Sequence, residues 1–298
     1  MPQVQTPALD IGYEEHGPIG GPPVVLVHGF PDDVRVWDGV TGPLAQAGCR
    51  VLVPYLRGYG PTRLRPGVMA SGQQAALGVD LRDFLAALGI NRATLAGYDW
   101  GGRAACVVAA LWPEQVHALV SITGYNIQNI ASALRPASVD DEWRHWYQWY
   151  FQTERGRAGL AANRAALSRK LWQLWSPNWP FDEAVFARTA TSFDNPDFVD
   201  VVIHSYRHRH QAAAGDPALD SIEQALAALP AIAVPTVVLH GADDGVGPAE
   251  NSMNDHRHFT AFYDRIVVPV AGHFLPREAP TAVIDAIERL HAMTNAIF

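Results

Sequence analysis

Lysine is nearly missing from this 298-residue chain, with Lys170 its only example. That leaves one candidate for Schiff-base chemistry, and there is no G-K-[ST] phosphate loop. Cysteine is scarce as well. Cys49 and Cys106 form neither a C-x-x-C pair nor a spaced framework, so they read as small buried hydrophobes in a protein of a reducing compartment. No stretch approaches the roughly 18 apolar residues of a membrane span, and the opening MPQVQTPALD has no basic segment leading into an apolar one. A soluble, cytoplasmic protein with no membrane partner is therefore expected. A positive charge excess is lacking too: the formal net charge is -8, which argues against nucleic acid as a partner, because phosphate backbones attract clustered Lys and Arg. The only basic cluster, Tyr206-Arg207-His208-Arg209-His210, is short and reads as a solvated helix end.

What is present is an ordinary globular composition, 48% hydrophobic and 17% charged, in a chain long enough to bury a sheet between helix layers. Short apolar runs alternate with amphipathic stretches: Val24 to Gly29 then Trp37 to Ala47, Arg50 to Tyr55 then Ser71 to Leu88, Ala93 to Tyr98 then Gly101 to Trp112. Such alternation predicts parallel strands with helices on both faces. In the second of these helices Leu77, Leu81, Leu85 and Leu88 recur at helical spacing, Ser71 and Gln74 suggest a capping box, and Gly89 ends it. After a strand-like run at His117 to Thr123, residues 125–228 read as helical and hold six of the nine tryptophans, Trp143, Trp146, Trp149, Trp172, Trp175 and Trp179. Strand-like runs resume at Thr236 to Gly241 and Arg265 to Gly272, before an amphipathic helix from Ala279. The expectation is one sheet domain, residues 1–124 and 229–298, interrupted by a helical insertion, residues 125–228, that roofs the carboxyl edge of the strands, where ligands of open α/β sheets bind.

The segment Gly97-Tyr98-Asp99-Trp100-Gly101-Gly102 follows a strand and opens a helix. Glycines on both sides of Asp99 permit a sharp turn that lifts one side chain above the sheet, a position usually held by a nucleophilic serine. The plain alternative is an Asp that merely caps the helix. Three other strand ends weigh against it. His28-Gly29-Phe30-Pro31 could offer a backbone N–H that, with the amide of Trp100, makes an oxyanion hole. Gly241-Ala242-Asp243-Asp244-Gly245 supplies a carboxylate, and Gly272-His273-Phe274 a histidine. Nucleophile, acid and histidine thus follow in the chain order expected of such a site.

These residues resemble the α/β-hydrolase superfamily, and within it the epoxide hydrolases, from about Val24 to Pro280. The resemblance implies a mostly parallel sheet with a helical cap inserted after the sixth strand. The elbow Tyr98-Asp99-Trp100-Gly101-Gly102 is shared with haloalkane dehalogenases, so it specifies an aspartate nucleophile more strongly than a substrate. Tyr147-Gln148-Trp149-Tyr150-Phe151-Gln152 resembles the segment of the first cap tyrosine of epoxide hydrolases, and His204-Ser205-Tyr206-Arg207 that of the second. Phe30 is similar to the epoxide-hydrolase form of the oxyanion motif, where many haloalkane dehalogenases carry a halide-binding Asn. Family spacing selects Asp244 as the triad acid, three residues beyond Gly241, with Asp243 the fallback. The resemblance therefore implies Asp99 as nucleophile, His273 as base, Tyr147 and Tyr206 as proton donors, Phe30 and Trp100 as the oxyanion hole, and Phe30, Trp100 and Gln148 as substrate contacts.

The tryptophan-rich cap suggests an apolar substrate, although those rings could equally be the cap's own core. His204 and His208, four apart on a helix, could face one metal but lack a third ligand at sensible spacing; no metal and no cofactor is implied. A homodimer is common among similar proteins. Two other readings stand beside the epoxide hydrolase: a haloalkane or haloacid dehalogenase using the same Asp99, although fluoroacetate-type enzymes place Arg beside the nucleophile, and a non-catalytic receptor that keeps the pocket.

Overall fold

The computed structural model describes residues 1–295. Strands β1 (Gln3–Gln5), β2 (Leu9–His16), β3 (Pro23–Val27), β4 (Arg50–Pro54), β5 (Arg63–Leu64), β6 (Ala93–Tyr98), β7 (Val116–Ile122), β8 (Thr236–Gly241) and β9 (Tyr263–Val268) share one sheet. Its order is β1-β2-β4-β3-β6-β7-β8-β9, with β5 beside β2. Pairing is parallel from β4 to β9 and antiparallel where β2 meets β1, β4 and β5. The central strands are buried on both faces, which is why Val24–Val27 and Ala93–Tyr98 read as continuous apolar runs.

The antiparallel edge was not anticipated. Its signal is a short alternation, Leu9, Ile11 and Tyr13 turned inward with Asp10 and Glu14 less buried, weaker than the unbroken runs of the buried strands. The last strand also begins two residues earlier than expected and ends at Val268, leaving residues 269–272 to run clear of the ladder toward His273.

Helices α1 (Asp38–Gln46), α2 (Gln74–Ala87) and α3 (Asp99–Leu111) alternate with the strands. Between β7 and β8 come α4 (Val139–Arg144), α5 (Trp146–Phe151), α6 (Glu154–Ala162), α7 (Arg164–Trp175), α8 (Glu183–Ala190), α9 (Phe198–Arg209) and α10 (Asp220–Ala227). The chain closes with α11 (Leu275–Glu278) and α12 (Pro280–Asn295). Helices α2 and α3 pack together, as do α1 and α12. The helical insertion follows β7, which is the sixth strand if the two-residue β5 is set aside. Among the described residues no helix is long and apolar enough to cross a membrane.

Helix α2 does not start with a capping box. Ser71 Oγ donates to Gln73 Oε1, and the amide of Ala75 donates instead to Glu223 Oε1 on α10. A carboxylate at a helix N-terminus meets its unpaired N–H groups and its positive dipole end, whichever element supplies it. Gly89, at φ +66°, does end the helix.

The insertion is pinned to the sheet domain by polar ties. Trp172 Nε1 donates to the Pro31 carbonyl at 2.8 Å, and Asp33 accepts from Thr189 Oγ1 at 3.0 Å and Ser192 Oγ at 2.6 Å. Below it, Arg57 forks onto both oxygens of Asp80 at 2.6 and 2.7 Å, tying the loop after β4 to α2. Cys49 and Cys106 are both buried free thiols.

Candidate active site

Asp99 stands where β6 turns into α3, at φ +50°, a left-handed conformation rare for a residue with a Cβ. The surrounding backbone holds it there. A Cβ on Gly101 would lie 2.0 Å from the Val27 carbonyl oxygen, and one on Gly29 would lie 2.5 Å from Asp99 Cβ. Both positions therefore need glycine for close approach. The Phe30 amide donates to Asp99 Oδ1 at 2.8 Å. The Trp100 amide lies in the first turn of α3, whose N–H groups have no partner within the helix.

The other carboxylate oxygen faces a histidine. His273 Nε2 is 3.9 Å from Asp99 Oδ2 and has no hydrogen-bond partner, whereas His273 Nδ1 donates to Asp244 Oδ2 at 3.0 Å. A carboxylate only accepts, so this contact places the proton on Nδ1 and leaves Nε2 as the acceptor. Asp244 Oδ1 takes the amides of Val246 at 2.7 Å and Gly247 at 3.3 Å. Burial alone would raise the Asp244 carboxyl, but the histidines and the Val246 amide outweigh it and hold it below its ordinary value. Burial likewise works against a charged His273, and the carboxylates of Asp244 and Asp99 outweigh it, so that its pKa lies above 6.5. Asp243 points elsewhere, accepting from Asn178 at 2.8 Å.

Several residues that position these groups left no motif in the sequence. The Trp175 carbonyl accepts the amides of both His273, at 3.1 Å, and Gly245, at 2.9 Å. Ser176 Oγ donates to Glu278 Oε1 and accepts from the Phe274 amide, while Glu278 Oε2 accepts from Gly272. The end of α7 thus clasps the acid loop and the histidine loop together. His28 is a structural histidine: the Leu56 amide donates to its Nε2 at 3.0 Å, and burial pushes its pKa down to about 3.

Above the elbow lies an aromatic cluster. Phe30 stacks on Trp100 at 5.6 Å between centroids, and Tyr206 packs on both, with Tyr147 edge-on to Tyr206 at 5.3 Å. Burial holds the Tyr147 phenol up at about 12 and Tyr206 well above its ordinary value, with Asp99 adding to both. Both are neutral proton donors over the physiological range. Gln148 Nε2 donates to the Tyr147 hydroxyl at 3.1 Å.

The cavity over Asp99 has a volume of about 270 Å³. Its wall includes Tyr147, Gln148 and His273, but not Phe30, Trp100 or Tyr206, whose rings sit in the cluster beside it. Although the tryptophan-rich insertion suggests an apolar substrate, the wall is polar: Arg103, Arg209, His145, Asn126 and Asn251 share it with Asp99 and Asp244. The tryptophans are elsewhere. Trp172 and Trp175, on α7, are buried where the insertion packs against Pro31 and Phe274 of the sheet part, and Trp143 is exposed. The basic cluster is no solvated helix end either. Tyr206 is buried, Arg209 turns into the cavity and His210 meets Gln148 Oε1 at 3.0 Å. His204 spends both ring nitrogens on backbone, the Gly72 amide and the Ala214 carbonyl. Arg103 was overlooked in the sequence, where its signal was a lone charge in the otherwise apolar helix Trp100 to Leu111.

A mostly parallel sheet carrying a carboxylate after β6, a second carboxylate after β8 and a histidine after β9 has the arrangement of the elbow-nucleophile hydrolases. The chain belongs to the alpha/beta hydrolase fold family, which it matches over residues 22–280. It is 42% identical to a crystal structure of a candidate epoxide hydrolase from Klebsiella pneumoniae, with a TM-score of 0.94 over 97% of this chain and 96% of that one. It is 36% identical over 116 residues to bifunctional epoxide hydrolase 2 of Sus scrofa, covering 39% of this chain and 20% of that protein. Epoxide hydrolase A of Mycobacterium tuberculosis is 33% identical over 120 residues, 40% of this chain and 37% of that one. The matched stretches thus span well under half the length of these two relatives.

Proposed function

We propose that the protein hydrolyses an epoxide to a vicinal diol through a covalent ester on Asp99. The observation that carries this reading is the division of the Asp99 carboxylate: Oδ1 on the Phe30 amide, Oδ2 open toward His273 Nε2 and the cavity. The similarity to epoxide hydrolases supports an epoxide as the substrate class.

Oδ2 attacks a ring carbon, the carbon–oxygen bond breaks, and the departing oxygen takes a proton from Tyr147, assisted by Tyr206. In the second step His273 Nε2 removes a proton from water, and the hydroxide adds to Cγ of the ester. The charge that develops on Oδ1 is met by the amides of Phe30 and Trp100. Collapse breaks the Cγ–Oδ2 bond, the leaving alkoxide takes the proton from His273, and the diol departs carrying the former Oδ2. The collapse leaves the Asp99 carboxyl protonated, and the proton it then releases restores the Tyr147 hydroxyl through solvent. In this reading residues 125–228 are a cap domain over a core of residues 1–124 and 229–298, and Gln148 fixes the Tyr147 hydroxyl. The two buried thiols fit a cytoplasmic protein.

The test is diol formation from terminal and aryl epoxides by wild type and Asp99→Ala. Diol from the wild type alone is expected. Halide release from haloalkanes or haloacids without diol from any epoxide would replace this reading with a dehalogenase. Tight ligand binding with no turnover of either class would replace it with a receptor.

A further inference from the structure

The wall of the cavity holds more positive charge than the proposed chemistry uses. Arg103 lies one helical turn beyond Asp99 on α3, so the two side chains share a face. It is only 7% exposed, it lines the cavity, and its Nε and Nη1 have no hydrogen-bond partner. Buried guanidinium donors without acceptors are costly, so such a group calls for a specific reason, and an anion that binds there would supply one.

Arg209 enters the same cavity from α9, its guanidinium 5.0 Å above the Tyr206 ring and its Nη1 3.3 Å from Gln148 Oε1. With the Gln128 carboxamide oxygen turned toward it, Arg209 gains a second side-chain acceptor. Burial, with the repulsion of the Arg209 guanidinium added to it, pulls Arg103 down to about 10. Asp99 attracts Arg103, but neither carboxylate of the cavity is shown hydrogen-bonded to either guanidinium. Asp244 is committed to His273 and two amides, and Asp99 gives one oxygen to Phe30 and needs the other for attack.

We propose that Arg103, with Arg209 beside it, is a carboxylate-binding site and that the substrate is a short epoxide bearing a carboxylate. This rests on the epoxide reading above and adds the substrate class to it. A neutral epoxide would leave Arg103 unpaired, whereas a carboxylate can take two parallel N–H donors from one guanidinium. The same charge solves the problem of bringing an anionic substrate against an anionic nucleophile. Because Arg103 and Asp99 project from one rigid helix, binding the carboxylate also fixes the distance from the epoxide carbon to Oδ2. A cavity of about 270 Å³, at or below the lower end of small-molecule sites at roughly 300 Å³, suits a compact acid.

The test compares two nearly isosteric epoxides that differ in charge, glycidate and glycidamide. Wild type should show kcat/KM about 10- to 100-fold higher for glycidate, the range expected of a charge-assisted contact. Arg103→Met should bring that ratio to about 1, and Arg103→Lys should restore part of it, with the circular dichroism spectrum reporting the fold of each. Equal or better turnover of glycidamide by wild type would overturn the carboxylate site and leave the epoxide reading standing. If wild type opens neither compound nor any neutral epoxide, the epoxide reading falls and takes this inference with it.

Discussion

His273 Nε2 lies 3.9 Å from Asp99 Oδ2 with no hydrogen bond of its own, a gap too long for direct contact and suited to a proton acceptor serving a water between them. In the proposed mechanism the two residues have separable tasks, since attack by Oδ2 needs no base and hydrolysis of the resulting ester does.

His273→Gln is therefore expected to alkylate but not turn over. Intact-protein mass spectrometry should find the enzyme heavier by one substrate, with steady-state kcat lowered by about 10²- to 10⁴-fold. An unmodified variant under conditions where wild type makes diol would remove the covalent step.

The pH dependence follows from the charges around the same imidazole. Asp244 and Asp99 overcome burial and raise His273 above 6.5 in the free enzyme. Esterification removes the charge of Asp99, so the base of the second step should titrate lower than it does in the free enzyme. Asp99→Asn reproduces that loss, and NMR titration should show its His273 midpoint below that of wild type; an equal or higher midpoint would show that the pair is not coupled. Below its midpoint the base is protonated, and ester hydrolysis should slow about tenfold per pH unit. For stability the sign is opposite. The folded state favours protonated His273, so its contribution is complete below about 6.5 and is lost as pH rises through the elevated midpoint.

The two tyrosines should not be equivalent. Tyr147 is part of the cavity wall, whereas Tyr206 sits among Phe30, Trp100 and Phe151. Tyr147→Phe is expected to slow ester formation by about 10²-fold and Tyr206→Phe by about 10-fold or less, read from single-turnover adduct formation. Rates ordered the other way would place the ring oxygen nearer Tyr206.

Much of this was legible in the chain. The elbow could be read because its requirements are local: a strand run, an Asp with glycines around it, and a helix beginning at once. The parallel strands were visible because burial on both faces demands unbroken apolar runs. The antiparallel strand Leu9–His16 was missed because one buried face leaves only a weak alternation, and the capping box at Ser71 failed because the acceptor at the start of α2 comes from Glu223, more than a hundred residues away.

The sequence by itself determined the strand ends at which Phe30, Asp99, Asp244 and His273 sit, because backbone sterics and hydrophobic burial act over a few residues and mark each of those turns. Only the tertiary structure decided how the groups meet: that Asp244 rather than Asp243 reaches His273, that the end of α7 clasps both loops, and that Arg103 and Arg209, more than a hundred residues apart in the chain, face one cavity. Tryptophan content suggested an apolar site because composition cannot say which way a ring points. The fold turned Trp172 and Trp175 into packing, left Trp143 and Trp149 exposed, and placed charged side chains around the carboxylate.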